Sequence, residues 1–263
     1  MKMIVCVKQV PDPQASSTGT KVDVAAKRVI VPHGTPPVMS PYDESALEAA
    51  LKIKDVHGGH VTVMSVGKNL ARPVLRKALA SGADELILLE DNTFDQLDSY
   101  ATASILAAAI REIGTFDLIL CGRQAADTDA GQVGSGLAEL LHIPCVTVAC
   151  GIELGEEKVN VTRIVSDGYE VIEVMLPALV TVSSEIGELR YPKLKDLQAA
   201  QKMPIVVRNA GQLGIDVASL MKLNLVSLSP PQHRNVQCCM ISAETPEIAG
   251  EHLALTMRGA GLI

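Results

Sequence analysis

The stretch Asp117–Leu141, DLILCGRQAADTDAGQVGSGLAELL, sets the narrowest bounds on what this chain can fold into. Its apolar run Leu118–Cys121 reads as a buried parallel strand. A polar turn follows, holding Gly122, Arg123, Gln124, Asp127, Thr128 and Asp129. Gly131, Gly134 and Gly136 then lead into an amphipathic helix. A strand, a glycine-rich turn and a helix N-terminus, in that order, turn backbone N–H groups and the positive end of a helix dipole toward one point. That arrangement suits an anion, most often a phosphate.

The surrounding sequence repeats the alternation. Met3–Val10 reads as a first buried strand, and Tyr42–Val56 as a helix with Ala46, Leu47, Ala50, Leu51 and Ile53 on its apolar side. Strand Val61–Val66 and helix Asn69–Ala80 follow, with Asn69 as N-cap and Gly82 just past the end. Then come strand Glu85–Leu89, helix Asp98–Ile113 ended by Gly114, and strand Pro144–Ala149 after the opening motif. Glu153–Ser166 and Gly168–Met175 read as an antiparallel hairpin with a turn at Asp167-Gly168, and Leu179–Val182 as one more buried strand. The expected fold class is therefore α/β: a Rossmann-like, mostly parallel sheet with helices on both faces, plus the hairpin within 152–175 and an extended C-terminal arm. Beyond Ser184 the chain loses long apolar runs and carries Pro192, Pro204, Pro230 and Pro231. The expected division is a nucleotide-binding domain over 1–183 and an arm over 184–263, ending in a helix Thr245–Arg258 capped by Thr245 with Pro246 at its first position.

Composition removes several function classes. The net charge is −7 and no long basic run occurs, so nucleic acid is not an expected partner. No apolar stretch approaches the roughly 20 residues that span a bilayer, and the start MKMIVCVKQV has no cleavage-site pattern, so the expected location is cytoplasmic. The six cysteines, Cys6, Cys121, Cys145, Cys150, Cys238 and Cys239, have no zinc spacing, and His33, His57, His60, His142, His233 and His252 have no ligand spacing, so no metal is expected. No Walker lysine pattern and no nucleophile–base pair appear, and no residue is singled out as catalytic. Aromatic residues make up only 2%, so aliphatic side chains and backbone would have to hold any flavin.

Six phrases then fall in one order: MIVCVKQVP over Met3–Pro11, MSPYDESALEAA over Met39–Ala50, VTVMSVG over Val61–Gly67, LASGAD over Leu79–Asp84, DLILCGRQAADTDAGQVG over Asp117–Gly134, and ELRYPKL over Glu188–Leu194. Together they closely resemble the small (beta) subunit of electron-transfer flavoproteins, over roughly residues 1–215. The resemblance implies a heterodimer whose large (alpha) subunit carries a redox-active FAD. The small subunit binds an adenine nucleotide, either AMP or a second FAD, and its C-terminal arm wraps the large subunit. It implies electrons accepted from flavin dehydrogenases of the acyl-CoA dehydrogenase type, or from NADH, and passed to a further acceptor, with flavin-based bifurcation in one branch of the family. A stand-alone adenine-nucleotide regulator built on the same domain is the alternative reading.

Carried over residue by residue, the resemblance implies adenine contacts at Val7, Lys8, Ser65 and Gly67, at strand ends. Asp127, Thr128, Asp129, Ala130, Gly131, Gln132, Val133 and Gly134 would cradle the phosphate, after Cys121, Gly122 and Gln124. The two aspartates then read as helix caps, or as partners of Arg123 and of ribose hydroxyls. Thr102, in the phrase DSYATA over Asp98–Ala103, and the short Gln124–Gln132 spacing resemble the FAD-binding branch more than the AMP branch. Ser40 stands where the family usually has asparagine, and ADTDAGQ replaces DGDTAQ. Arg190, Tyr191 and Leu194 match the loop with which the family recognises partner dehydrogenases, Leu194 as the apolar anchor. Asp43 and Glu44, behind Pro41, read as helix-dipole partners with a structural role.

Overall fold

The computed structural model describes residues 1–15, 21–32, 34–230 and 238–263; His33, Pro231 and His233 lie outside them. Two compact units result, Met1–Ser227 and Leu228–Ile263.

In the first unit the strands are β1 Lys2–Cys6, β2 Gln9–Pro11, β3 Lys21–Asp23, β4 Arg28–Ile30, β5 Pro37–Met39, β6 His60–Gly67, β7 Glu85–Glu90, β8 Leu118–Gly122, β9 Cys145–Leu154, β10 Lys158–Val165, β11 Gly168–Met175, β12 Ala178–Val182 and β13 Val206–Arg208. The helices are α1 Pro41–His57, α2 Arg72–Ser81, α3 Ser99–Ile113, α4 Val133–Leu141, α5 Leu194–Lys202 and the short α6 Val217–Leu220. Nine strands form one sheet in the order β11-β10-β9-β12-β8-β1-β6-β7-β13. From β9 to β13 every neighbouring pair runs parallel, and the meander β9-β10-β11 is antiparallel. The chain leaves β1 toward β6 and β7, then returns to place β8 on the other side of β1. Strand order reverses there, between β1 and β8, and open α/β sheets leave a crevice at such a point.

The alternation of β1 decides the layers. Met3, Val5 and Val7 face α1 and α2, meeting Ala46, Leu47, Leu75 and Ala78. Ile4 and Cys6 face α3 and α4, meeting Ile105, Ile110, Leu137 and Ala138. Both faces of the parallel strands are covered, which is why they read as continuous apolar runs.

Several expected elements are redrawn. The run Met3–Val10 is not one strand: β1 stops at Cys6, and Gln9–Pro11 pairs antiparallel with Pro37–Met39 instead. The cause is local, because the Lys8 N–H donates to the Asp43 carboxylate and the Lys8 carbonyl accepts from the Ser40 N–H, which takes both groups out of the ladder. Asn69 does not cap α2. It sits in the left-handed region at φ 58°, and the helix starts at Arg72, where Pro73 fits the first turn. The arm expected over 184–263 is also divided: α5 packs on α2, where Arg76 Nη1 donates to the Ala200 and Met203 carbonyls, and β13 adds to the sheet beside β7. In the second unit, α7 Pro246–Gly259 is capped by Thr245 as expected and has no buried residue. No helix among the described residues is long and apolar enough to cross a membrane.

Arg190 belongs to the architecture. Its backbone N–H donates to Glu48 Oε2 at 2.9 Å, its Nε and Nη2 grip the same nearly buried carboxylate, and Nη2 also reaches Asp55 Oδ2 at 2.8 Å. These charges hold the guanidinium more firmly protonated than usual, the Glu48 hydrogen bond contributing most. The group is therefore taken up by α1 of its own chain. Tyr191 beside it is 96% exposed and Leu194, the first residue of α5, is 72% exposed. Arg190→Ala leaves a buried carboxylate without its counter-charge and is expected to cost about 2–3 kcal/mol, less than the roughly 3–5 kcal/mol of a fully buried pair because the arginine edge meets water. Urea unfolding measures this, and Tyr191→Ala should leave the midpoint within error.

Candidate nucleotide site

The carboxyl ends of β1 and β8 lie side by side, with Cys6 and Cys121 as register partners. Both thiols are buried, and Cys121 is pushed well above the ordinary thiol range by its hydrogen bond with Cys6 and by burial, so it packs as a neutral apolar group. Beyond these residues the two strands are joined by a side chain from elsewhere. Asp43, in the first turn of α1, accepts from the Lys8 N–H at 2.8 Å and from the Gly122 N–H at 3.0 Å. Burial pushes its carboxyl up to about 7, against these two hydrogen bonds and the charge of Lys8. Asp43 is a residue whose reach the sequence did not disclose. It stands where acidic residues suit a helix dipole, and its partners lie 35 and 79 positions away.

Gly122 is required by this contact. A Cβ there would lie 2.5 Å from Asp43 Oδ1 and 2.8 Å from the Tyr42 carbonyl carbon. The turn then bends through Asp129 in the left-handed region (φ 51°) and Gly131 (φ 62°) before α4 begins at Val133. Gly134 lets α4 sit against the sheet, since a Cβ would lie 2.5 Å from Thr181 Cγ2. No side chain caps α4, so its first N–H groups are left for another acceptor.

The acidic residues of the turn have partners other than those expected. Asp127 Oδ1 pairs with Lys8 Nζ at 2.7 Å, and Asp129 Oδ1 accepts from Gln124 Nε2 at 2.7 Å. Neither caps α4 and neither meets Arg123, whose guanidinium lies 4.9 Å above the Tyr42 ring. With Asp127 held by Lys8, the turn is not a bare anionic surface. The Lys8–Asp127 pair is partly exposed and worth only about 0–1 kcal/mol, so a phosphate can compete for Lys8.

Ser40 and Ser65 are fully buried, and their hydroxyls have no hydrogen-bond partner among the described residues. Ser40 borders Lys8 through its backbone N–H, and Ser65 follows Met64, whose carbonyl accepts from the Val7 N–H. Orphaned buried hydroxyls cost about 1–3 kcal/mol each, and beside a crevice at strand ends they fit a polar ligand. The residues present thus fit the adenosine-phosphate part of a nucleotide.

Not every candidate is gathered in. Thr128, Ala130 and Gln132 are exposed on the turn, and neither Thr128 nor Gln132 has a side-chain hydrogen bond among the described residues. Val133 opens α4 and is partly buried. Gly67 pairs with Glu90 toward β7, two positions beyond Ser65. Thr102 lies on α3, which packs on α4, and its hydroxyl donates to the Asp98 carbonyl.

Two measurements check this construction. Gly134→Ala is expected to cost about 1–3 kcal/mol by overpacking. Adding Thr181→Ser removes the colliding methyl but keeps the Oγ1 that accepts from Val148 N at 3.0 Å, so the double variant should recover most of the loss in thermal unfolding. Asp43 holds its proton to about pH 7 in the folded chain but only to the ordinary carboxylate range when unfolded. Its contribution is therefore greatest below about pH 4 and is lost as pH rises toward 7. Relative to Asp43→Asn, the wild-type chain should lose stability across that window and run parallel above it.

Comparison with known proteins identifies the family. The family model of the electron transfer flavoprotein domain matches residues 27–213. The chain is 41% identical over 217 residues to "Electron transfer flavoprotein subunit beta" of Thermoanaerobacterium thermosaccharolyticum, covering 82% of this chain and 81% of the relative. It is 42% identical over 216 residues to "Caffeyl-CoA reductase-Etf complex subunit CarD" of Acetobacterium woodii, covering 82% and 80%. With "Acryloyl-CoA reductase electron transfer subunit gamma" of Anaerotignum propionicum it shares 39% over 210 residues, covering 79% and 77%. With the family model spanning most of the chain and its beta subunits matched along most of their length, the chain belongs to the electron transfer flavoprotein family.

Proposed function

We propose that this chain is the small, beta-type subunit of a two-subunit electron transfer flavoprotein, and that the β1–β8 crevice holds the adenosine-phosphate part of FAD or AMP. The observation that carries the reading is the uncapped start of α4 beside the Asp43-tied strand ends, with Ser40 and Ser65 unpartnered next to them. Backbone N–H groups of the turn and of α4, with Lys8, would hold the phosphate. The strand ends at Val7, Lys8 and Ser65 would border the adenine. The phrase DSYATA and the short Gln124–Gln132 spacing favour FAD over AMP. A bound flavin supplies the one- and two-electron chemistry; the chain's own residues bind it, orient it and exclude water. No acid–base residue is needed from this chain.

Its partners follow from the same reading. The large subunit carries an FAD and receives the C-terminal unit, a role suited to a helix that buries nothing in its own unit. The electron donor in this reading is a flavin dehydrogenase of the acyl-CoA dehydrogenase type, or NADH. The names of the relatives from Acetobacterium woodii and Anaerotignum propionicum, which pair such subunits with CoA-ester reductases, support a CoA-ester enzyme as the redox partner without fixing the direction of electron flow. Exposed Leu194, next to Tyr191, would dock into an apolar pocket of that enzyme. One leucine so buried contributes about 1.5–3 kcal/mol, which suits a transient encounter. The complex would work in the cytoplasm and pass electrons to a further acceptor.

The test is the nucleotide content of the purified two-subunit complex. Denaturation should release two FAD per heterodimer, and NADH-driven reduction of a low-potential acceptor would then show bifurcation. One FAD plus one AMP would make it a simple carrier. A complex that holds neither flavin nor AMP would overturn the proposal, and a nucleotide-loaded homo-oligomer without flavin would replace it with a regulatory role.

A further inference from the structure

We infer that Asp43 is the positioning residue of the nucleotide crevice: its carboxylate fixes the separation of the β1 and β8 strand ends, and phosphate binding at the neighbouring turn is linked to proton uptake by that carboxylate. The inference rests on the nucleotide reading above.

The ladder between β1 and β8 runs to Cys6 and Cys121, and Asp43 ties the residues just beyond it. One carboxylate spans both strands, Oδ2 on the Lys8 N–H and Oδ1 on the Gly122 N–H. Lys8 and Gly122 are the residues at which β1 and β8 hand the chain to the segments bordering the crevice. Asp43 is itself buried in the first turn of α1, so helix and both strand ends move together. The close approach at Gly122 leaves no slack, since even a methyl group would strike Asp43 and Tyr42.

The charges around Asp43 give the direction of the linkage. From β1 comes Lys8, which favours the carboxylate; from the turn after β8 comes Asp127, which favours the acid. Cys121 on β8 and Cys6 on β1 are thiols buried against the opposite layer. On α1, Glu44 is engaged by Lys77 Nζ at 2.6 Å, and Tyr42 lies under the Arg123 guanidinium. Among the described residues Lys8 is thus the one cation whose charge bears on Asp43, and it already shares itself with Asp127 at 2.7 Å. A phosphate in the turn draws Lys8 toward itself and adds negative charge nearby. Both changes disfavour a charged Asp43, so a proton is taken up. Burial has already brought the carboxyl to about 7, where a modest push changes its occupancy.

The experiment uses the full-length chain freed of bound nucleotide, titrated calorimetrically at about pH 7.5 in buffers of different ionisation enthalpy, with AMP and with adenosine as probes. AMP should bind with uptake of a fraction of a proton, and adenosine with none. Asp43→Asn, an uncharged isostere of the acid, should abolish the uptake and leave AMP affinity level between about pH 7 and 8.5, where the wild-type affinity should fall as pH rises. Infrared difference spectra of the wild-type chain should show a protonated-carboxyl band growing as AMP is added, a readout independent of whether the variant folds. Equal proton counts for AMP and adenosine, a proton uptake that survives in Asp43→Asn, or no carboxyl band would each overturn the inference. No binding of AMP by the wild-type chain would instead overturn the nucleotide reading on which it rests.

Discussion

A single buried carboxylate, that of Asp43, joins three elements that the chain order keeps far apart. It accepts a backbone N–H from the end of β1 and another from the end of β8, while its own backbone starts α1. Parallel strands need no such tie along their length, because the ladder supplies the hydrogen bonds. At the carboxyl ends of strands flanking a reversal of order the ladder stops, and the N–H groups there need other acceptors. Asp43 provides one for each side. Burial disfavours its charge and the two N–H groups favour it, which leaves the carboxyl near 7. Both opposing effects arise from the same placement.

The remaining features of the crevice follow from close approach. Gly122 sits against Asp43 and Tyr42, and Gly134 against Thr181, at distances that exclude a side chain at either glycine. α4 can therefore lie directly on the sheet, with its uncapped N-terminus beside the turn. On the opposite face α1 is held by Arg190, which neutralises the buried charge of Glu48 on that helix. A crevice bounded by fixed backbone suits a cofactor that must be held at a constant position. Electron transfer depends on cofactor separation and surroundings, and not on a reactive side chain.

The surface has a different character. Tyr191 and Leu194 project from the segment that begins α5, while Arg190 between Glu48 and Asp55 secures that segment to α1. An exposed apolar residue on a firmly held base would suit the transient docking proposed for it. The C-terminal unit, whose helix has no buried residue, has the opposite character: its apolar side chains Leu253 and Leu255 are 48% and 57% exposed.

The alternation of short apolar runs with glycine-ended helices was enough to establish an α/β fold and the position of most elements, because burial on both faces of a parallel strand leaves an apolar run that periodicity detects. The turn from Gly122 to Gly134 was legible for the same reason: glycines at the start of a helix destabilise it unless a close approach or a left-handed turn requires them, and Gly131 and Gly134 show both causes. Local sequence could not show where β1 ends or that Val206–Arg208 joins the sheet, since each is settled by a partner distant in the chain. The same holds for Asp127 and Asp129, whose partners Lys8 and Gln124 were not those their spacing suggested. The sequence by itself determined the fold class, the phosphate-type turn and the family phrases, all carried by short-range pattern. Only the tertiary structure decided that Asp43 ties the strand ends and that Arg190 serves its own chain, because both roles depend on which groups burial leaves without a partner.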